Sequence, residues 1–235
     1  MSLPGATTLR GALYGTWAFV CCGFLATCVL LVNLVVARPR RRRQVASLAS
    51  RLFLLATGIP FRVDGLERLP TTPCVVVANH SSYLDGLVMA AALPPDFAFV
   101  IKREMVGVPL ASTLLRRLGS EFVERFDHRR GAADARRVLR RAADGQSMVF
   151  FPEGTFNEAR QIGEFLRGAF TTAEKAGLPV VAVAIQGGRD ALPAGSLRLR
   201  RVPIRVQVLE VVDGAGARPR CRELISQAVG EPLAP

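Results

Sequence analysis

The second part of the chain alternates between short apolar runs and longer segments of mixed polarity. The apolar runs are rich in valine and are bounded by Gly, Pro or polar residues, as buried strands are. The segments between them carry apolar residues at helical spacing. This order predicts an α/β domain with a mixed, mostly parallel sheet flanked by helices. Strands are predicted at 74–79, 97–102, 120–124, 147–153, 180–186 and 202–212, and helices near 85–92, 107–118, 131–144, 166–176 and 219–229.

The amino-terminal segment has a different pattern, because residues 12–37 carry no charge and Arg38 and the run Arg40–Arg43 follow. As a helix this segment rises about 1.5 Å per residue and so exceeds the roughly 30 Å hydrocarbon core of a bilayer. We predict a membrane-embedded helix, alone or paired with the next helix. The arginines place the following domain on the cytoplasmic face of a cell inner membrane. A cleaved signal peptide is the alternative, but the basic end lies on the wrong side of a segment that is too long.

A second, amphipathic helix is predicted at 45–57, directly after the arginine run. Its apolar side either packs on the core of the domain or lies among lipid headgroups, with the arginines as an anchor. Together the two helices define a membrane anchor at 1–59, and residues 60–235 form the globular domain. The apolar residues at helical spacing are Val45, Leu48, Ala49, Leu52, Phe53 and Ala56, and the opposite face holds Ser47, Ser50 and Arg51.

Composition argues against several classes of function. The formal net charge is +12, and it comes almost wholly from arginine, since the only lysines are Lys102 and Lys175. No basic stretch carries interleaved aromatic residues, so we expect no nucleic-acid partner. The five cysteines form neither a Cys-x-x-Cys motif nor a cluster with histidine. We therefore expect no metal site and no disulfide framework.

Polar residues follow two of the predicted strands and should meet at one edge of the sheet. The segment NHSSYLDG follows the strand at 74–79, and PEGT at 152–155 ends the strand at 147–153. Active sites of α/β sheets gather at the carboxyl ends of strands, and a helix start there also favours anions. Both segments are therefore candidates for one site.

Within this edge, His80 and Asp85 are the residues best suited to catalysis. On one helix their side chains would point about 140° apart, so His80 must precede the helix and Asp85 must lie in its first turn. A histidine held against a carboxylate is arranged to remove a proton from an alcohol. The chain has no G-x-S-x-G motif, so we expect His80 to activate the substrate rather than a protein serine. The alternative is an ordinary helix start, with Ser82 and Asp85 as a variant capping box.

Four segments resemble, in order, the motifs of the glycerolipid acyltransferase family, typified by 1-acyl-glycerol-3-phosphate acyltransferases. They are NHSSYLD, IKRE followed by GSEFVER, FPEGT and GLPVVAVAI, and the resemblance extends from about residue 60 to residue 212. It implies a membrane-associated enzyme of phospholipid biosynthesis that moves a fatty acyl group from acyl-CoA or acyl-carrier protein to the free hydroxyl of 1-acyl-glycerol-3-phosphate. The product is phosphatidic acid, and the resemblance implies no further cofactor.

The resemblance also implies roles for individual residues. His80 is the general base, Asp85 orients it, and backbone N–H groups near them are expected to stabilise the charged thioester oxygen. Arg125 holds the phosphate of the acceptor. Glu153 contacts the acceptor or orders its loop, and Gly154 allows close backbone approach; the same motif ends at Thr155.

One departure from the family pattern concerns the acceptor. Many members have an arginine after FPEGT, where this chain has Phe156. The missing positive charge would come from Arg160, Arg167 or the pair Lys102 and Arg103, or the acceptor is another lysolipid, such as a lysophospholipid or an aminoacyl lipid.

Other classes of function compete with this hypothesis. A non-catalytic protein that binds anionic membranes would need only the arginine run and the amphipathic helix, and a thioester hydrolase would use water at His80. The pairs Arg136/Arg137 and Arg140/Arg141 form a basic helix face. Such a face is solvated by default, and it otherwise docks to anionic headgroups or an acidic acyl-carrier protein.

Overall fold

Two long helices precede a seven-stranded sheet in the computed structural model, which describes residues 9–124, 128–155, 159–196, 198–214 and 216–234. The first two helices are α1 (Leu9–Val35) and α2 (Pro39–Ala56), and short 3₁₀ turns lie at Leu66–Arg68 and Arg103–Gly107. The strands are β1 (Phe61–Asp64), β2 (Val75–Ala78), β3 (Ala98–Lys102), β4 (Glu121–Val123), β5 (Met148–Phe150), β6 (Val180–Gln186) and β7 (Ile204–Val212). The later helices are α3 (Asp85–Ala92), α4 (Pro109–Arg117), α5 (His128–Ala143), α6 (Gly168–Ala176), α7 (Gly188–Ala191) and α8 (Ala217–Val229).

The sheet has the order β1-β7-β6-β2-β5-β3-β4. All neighbouring strands are parallel except β6 and β7, which are antiparallel. The prediction of a mixed, mostly parallel sheet flanked by helices is thereby confirmed. The edge strand β1 was not predicted, because its sequence FRVD has too few apolar residues to show a strand pattern. It is specified by its parallel pairing with β7, in which Phe61 lies opposite Ile204.

Strand β2 explains the valine run that precedes the polar cluster. All four of its residues are buried, so the strand shows no alternation of apolar and polar positions. Val76 and Ala78 belong to the core cluster formed with α2 and α3, whereas Val75 and Val77 belong to the cluster with α6 and α8. The strand therefore lies in the middle of a three-layer domain, with its carboxyl end presented at one edge.

Helix α2 begins earlier than predicted, and the structure shows which of its sides is buried. Pro39 occupies the first turn, so the arginine run belongs to this helix rather than to a linker before it. The buried residues are Arg43, Ser50, Phe53 and Leu54, whereas Leu48, Leu52 and Leu55 are exposed. The predicted apolar face is therefore only partly packed on the core of the domain. The helix can bury Arg43 because carbonyl groups of the domain lie opposite it, and it leaves a leucine stripe facing outward.

The arginine run of α2 binds the globular domain. Arg43 donates from Nε to the Leu118 carbonyl at 2.8 Å and from Nη1 to the Asp96 carbonyl at 3.0 Å. Arg40 pairs with the Asp96 carboxylate at 2.5 Å. These groups belong to loops beside α3 and α4, so the run joins the helix to the domain rather than reaching only toward headgroups.

Helix α1 is long and apolar enough to cross a membrane by length and composition, from Arg10 to Val35, and no other helix of the described chain is. It packs against α2, where Tyr14 donates its hydroxyl to the Thr57 carbonyl at 3.0 Å and Trp17 donates Nε1–H to the Ala56 carbonyl at 3.1 Å. Its other side exposes large apolar side chains. These include Leu13, Phe19, Val20, Phe24, Leu31 and Leu34.

Candidate active site

The turn between β2 and α3 carries the predicted catalytic pair. Asn79 fastens the start of this turn to β6, because its side-chain amide accepts from the Ile185 N–H at 2.8 Å and donates to the Ile185 carbonyl at 2.9 Å. Helix α3 begins at Asp85, so His80 precedes the helix and Asp85 lies in its first turn, as predicted. The two ends of the turn are thus held by different elements of the domain.

His80 and Asp85 form a direct hydrogen bond. His80 Nδ1 lies 2.9 Å from Asp85 Oδ2, which also accepts backbone N–H groups from Ser81 at 2.6 Å and Ser82 at 2.8 Å. The Asp85 side chain is fully buried, whereas the His80 side chain is 22% exposed. A neutral imidazole that donates Nδ1–H to this carboxylate presents Nε2 as its basic nitrogen. The pair therefore has the geometry of an oriented general base that a substrate can reach.

Ser82 and Asp85 also shape the helix start, so both interpretations of this cluster apply. Asp85 caps the Ser82 N–H, whereas the Ser82 hydroxyl accepts from Leu84 N–H at 3.1 Å and donates to the Leu192 carbonyl at 2.9 Å. One carboxylate thus stabilises the turn and orients the histidine.

Glu153 supports His80 from the turn that follows the neighbouring strand β5. Its Oε1 accepts the His80 backbone N–H at 2.8 Å, and its Oε2 accepts the Gly163 N–H at 2.8 Å. Burial raises the pKa of Glu153 above its ordinary value, while the two N–H donors act in the opposite direction. Gly154, with φ +75°, makes the left-handed turn that follows. Since both carboxylate oxygens bind the backbone, this geometry favours loop ordering over acceptor contact as the role of Glu153.

The His80 ring also stacks on Phe151, with centroids 4.5 Å apart and an angle of 24° between the planes. The imidazole is therefore held by Asp85 at its edge, by Phe151 on one face and by Glu153 through its backbone. Contacts of this kind fix a reactive group in place before substrate binds.

The predicted oxyanion donors are not the amides closest to the base. The N–H groups of His80, Ser81 and Ser82 all bind protein carboxylates, and Gly154 N–H donates to the Phe151 carbonyl at 3.0 Å. Stabilisation of a developing oxyanion by backbone N–H groups near His80 stays a prediction, and these four groups are already engaged by protein acceptors.

The remaining predicted substrate-binding residues lie at different places. Lys102 ends β3 and is exposed, and Arg103 Nη1 binds Asp134 Oδ2 at 2.8 Å. Since β5 separates β3 from β2, both stand about 10 Å to the side of the catalytic turn. Thr155 is exposed on the loop after Glu153. Arg125 and Phe156 lie outside the described residues.

A cavity of about 240 Å³ opens beside Ser81, between α7 and the end of α8. Arg160 lines this cavity and pairs with Asp190, whereas Arg167 is exposed just before α6. Among the predicted substrate-binding cations that the structure describes, Arg160 is therefore the one that shares a cavity with the catalytic turn. Arg189 lines the same cavity, and its guanidinium binds Glu231 at 3.1 Å and 3.2 Å.

Gly188 belongs to this site and was not recognised in the sequence. A Cβ atom added there would lie 2.7 Å from Asp85 Oδ1, closer than real Cβ contacts allow. Asp85 Oδ1 is buried and has no hydrogen-bond partner among the described residues. The GG pair after the apolar strand β6 was the available signal, because paired glycines after a strand indicate close backbone approach.

Sequence comparisons with a family model and with individual proteins identify the same family, the acyltransferases. A family model described as Acyltransferase matches residues 60–186. The chain is 31% identical over 207 residues to a chloroplastic 1-acyl-sn-glycerol-3-phosphate acyltransferase of Brassica napus, covering 83% of this chain and 60% of that protein. It is 30% identical over 182 residues to a lyso-ornithine lipid O-acyltransferase of Pseudomonas aeruginosa, covering 69% of this chain and 68% of that protein.

A solved structure has the same fold. The crystal structure of the 1-acyl-sn-glycerophosphate acyltransferase of Thermotoga maritima superposes with a TM-score of 0.80 over 94% of this chain and 95% of that one, at 22% sequence identity. The superposition includes the amino-terminal helices as well as the sheet, since it spans nearly the whole of both chains.

Proposed function

Because the chain belongs to the acyltransferase family, we propose that it transfers a fatty acyl group from a thioester donor to the free hydroxyl of 1-acyl-glycerol-3-phosphate, giving phosphatidic acid. The donor is acyl-CoA or acyl-carrier protein. The observation that carries the proposal is the 2.9 Å pair of His80 Nδ1 and Asp85 Oδ2 at the carboxyl end of β2.

The geometry supports direct transfer to the hydroxyl. His80 Nε2 takes the hydroxyl proton while the oxygen adds to the thioester carbonyl, forming the new C–O bond. The tetrahedral intermediate then expels the thiolate as the C–S bond breaks, and the imidazolium returns the proton to sulfur. Asp85 stabilises the imidazolium between these steps. The chain has no G-x-S-x-G motif, so the proposed transfer is direct and uses no acyl-enzyme.

We infer that the enzyme binds its lipid acceptor at a membrane. Helix α1 has the length and apolar character of a membrane-embedded segment, and α2 presents its leucine stripe on the outside of the domain. We place the enzyme on a cell inner membrane with the catalytic domain in the cytoplasm. An acceptor with a long acyl chain resides in such a bilayer. Helices α1 and α2 therefore hold His80 near its substrate.

The test is acyl transfer by purified wild type and His80→Ala in detergent, with radiolabelled acyl thioesters and lysophosphatidate. A general base contributes about 10²–10⁴ in rate, so we expect kcat to fall by at least about a hundredfold. His128→Ala, which removes the other histidine of the chain, is the matched control and should retain transfer.

Product analysis separates the competing functions. Phosphatidic acid formed by wild type and lost in His80→Ala supports the proposal. Release of free fatty acid alone would identify a thioester hydrolase. Vesicle binding without transfer from any donor would favour the non-catalytic membrane protein, and equal rates for both variants would exclude His80 as the base.

A second candidate acceptor is favoured by two observations. Phe156 replaces the arginine that follows FPEGT in many family members, and the Pseudomonas relative is a lyso-ornithine lipid O-acyltransferase. A lyso-ornithine lipid is therefore included in the acceptor panel. Transfer to it in preference to lysophosphatidate would assign this chain to acylation of an aminoacyl lipid.

A further inference from the structure

A second cavity lies at the far edge of the sheet, between α4, β4 and α5. Its volume is about 390 Å³, within the range of small-molecule sites. Its charged lining consists of four arginines and one carboxylate: Arg103, Arg116, Arg137, Arg141 and Glu121.

Two of these arginines already stabilise the edge of the sheet. Arg137 binds Glu121 at 2.6 Å, Asp134 at 2.7 Å and the Phe122 carbonyl at 2.8 Å. Arg141 binds Glu121 and the Gly119 carbonyl. The bonds to the Phe122 and Gly119 carbonyls supply donors that an edge strand would otherwise lack. Arg137 and Arg141 therefore have a structural role, whether or not the cavity binds a ligand.

The cavity contains more positive charge than this role requires. The Arg116 guanidinium stacks on the Phe122 ring at 5.1 Å and has no carboxylate partner among the described residues. Arg43 approaches from behind Gly119, and its pKa is lowered to about 10 by burial and by the nearby Arg141 charge. Closely spaced guanidinium groups repel one another, so binding of an anion between them is favourable. The paired N–H donors of each guanidinium match the spacing of phosphate oxygens.

The distance between the cavity and His80 limits which anion the cavity can bind during the reaction. Strand β4 is three strands away from β2, or about 14 Å across the sheet. The phosphate of a glycerol phosphate lies only a few bonds from its reacting hydroxyl, so it cannot reach this cavity while the hydroxyl is at His80. A nucleotide-bearing thioester has its phosphates at the far end of a long pantetheine arm.

We propose that this arginine-lined cavity binds the phosphate groups at the nucleotide end of a coenzyme-linked acyl donor. The proposal rests on the proposed acyl transfer and deepens it by naming the class of donor. Arg116 and Arg103 supply hydrogen-bond donors to phosphate oxygens, while Arg137 and Glu121 hold the walls in place.

Binding is tested with the full chain in detergent, by the thermal shift that adenosine 3′,5′-bisphosphate or glycerol 3-phosphate produces. We expect the nucleotide to stabilise wild type and Arg116→Gln to weaken its apparent Kd about tenfold, the size of one charge-assisted contact. Arg116→Lys, which keeps the charge, should retain most of the binding. The control is Arg136→Gln, an exposed arginine of α5 that does not line the cavity.

Kinetics give an independent readout. In Arg116→Gln the KM for acyl-CoA should rise about tenfold relative to the KM for the same acyl group on pantetheine, which has no phosphate. An unchanged ratio of the two KM values would contradict the proposal.

The outcomes distinguish the source of the phosphate. Arg116 dependence for glycerol 3-phosphate, but not for the nucleotide, would reassign the cavity to lipid headgroups and overturn the donor assignment. Dependence for neither would overturn the site itself. If no acyl transfer is found with any donor, the proposed function fails, while the thermal shifts still decide whether the cavity binds phosphate.

Discussion

The Asp85 carboxylate shows how closely single residues determine this site. Its Oδ2 holds His80 Nδ1 and two backbone N–H groups, while its Oδ1 faces the backbone of Gly188. An aspartate with one oxygen fully engaged and the other against a glycine has little freedom to rotate. The orientation of His80 therefore depends on a residue more than a hundred positions away in the chain.

Gly188→Ala tests this dependence. The added Cβ, 2.7 Å from Asp85 Oδ1, must displace either the carboxylate or helix α7. A displacement of about 1 Å costs about a hundredfold in rate, so we expect kcat to fall by that order while Tm changes by only a few degrees. Gly168→Ala is the control, because an added Cβ there meets no atom within 4 Å. Wild-type kcat in Gly188→Ala would show that Asp85 is not held by this contact.

At the scale of elements, α2 links the apolar anchor to the domain. Its inner side combines Phe53 and Leu54 with the buried Arg43, and its outer side is a leucine stripe. Arg43 satisfies carbonyls of two loops and the Gln146 side chain, and burial is the largest cause of its lowered pKa. A buried arginine that binds several carbonyls fixes the angle at which the helix meets the domain.

Arg43→Met should uncouple α2 from these loops. The substitution removes the Arg43 donor from the Leu118 carbonyl and the Gln146 side-chain oxygen, whereas the Asp96 carbonyl keeps its bond from Gln146 Nε2. A buried unsatisfied group costs about 1–3 kcal/mol. We expect the free energy of unfolding of the full chain in detergent to fall by about 3 kcal/mol, measured by denaturant titration. Arg41→Met, at an exposed position of the same run, should stay within about 0.5 kcal/mol of wild type. Equal losses in both variants would mean that overall charge, not the buried contacts, matters.

At the scale of the whole molecule, exposed apolar side chains form the outer surfaces of the first two helices. Helix α1 exposes Trp17 and Phe24, α2 exposes Leu55 at 76%, and α4 exposes Leu110 at 74%. Helices α1 and α4 also touch, since Arg117 donates to the Asn33 carbonyl at 2.8 Å. Large exposed apolar surfaces on soluble proteins are rare, so this surface is the one we expect to enter the bilayer.

Trp17 reports on this insertion, because it is the only tryptophan of the chain and is 52% exposed. In vesicles its fluorescence should shift to shorter wavelength and be quenched by brominated acyl chains. Aqueous acrylamide should quench it weakly. Strong acrylamide quenching with no effect of brominated lipid would contradict insertion of α1.

The sequence by itself determined the sheet strands other than β1, the helices other than α7, and the position of His80 before Asp85. These features follow from local burial patterns and short-range geometry, which neighbouring residues encode. Only the tertiary structure decided which side of α2 is buried, because a periodic pattern indicates two faces without showing what each face meets. The sequence placed the segments of His80 and Glu153 at the same sheet edge, but only the tertiary structure decided the bond from the His80 N–H to Glu153, 73 positions apart. It alone also brought Asp85 against Gly188, since a close approach between distant segments has no local signal.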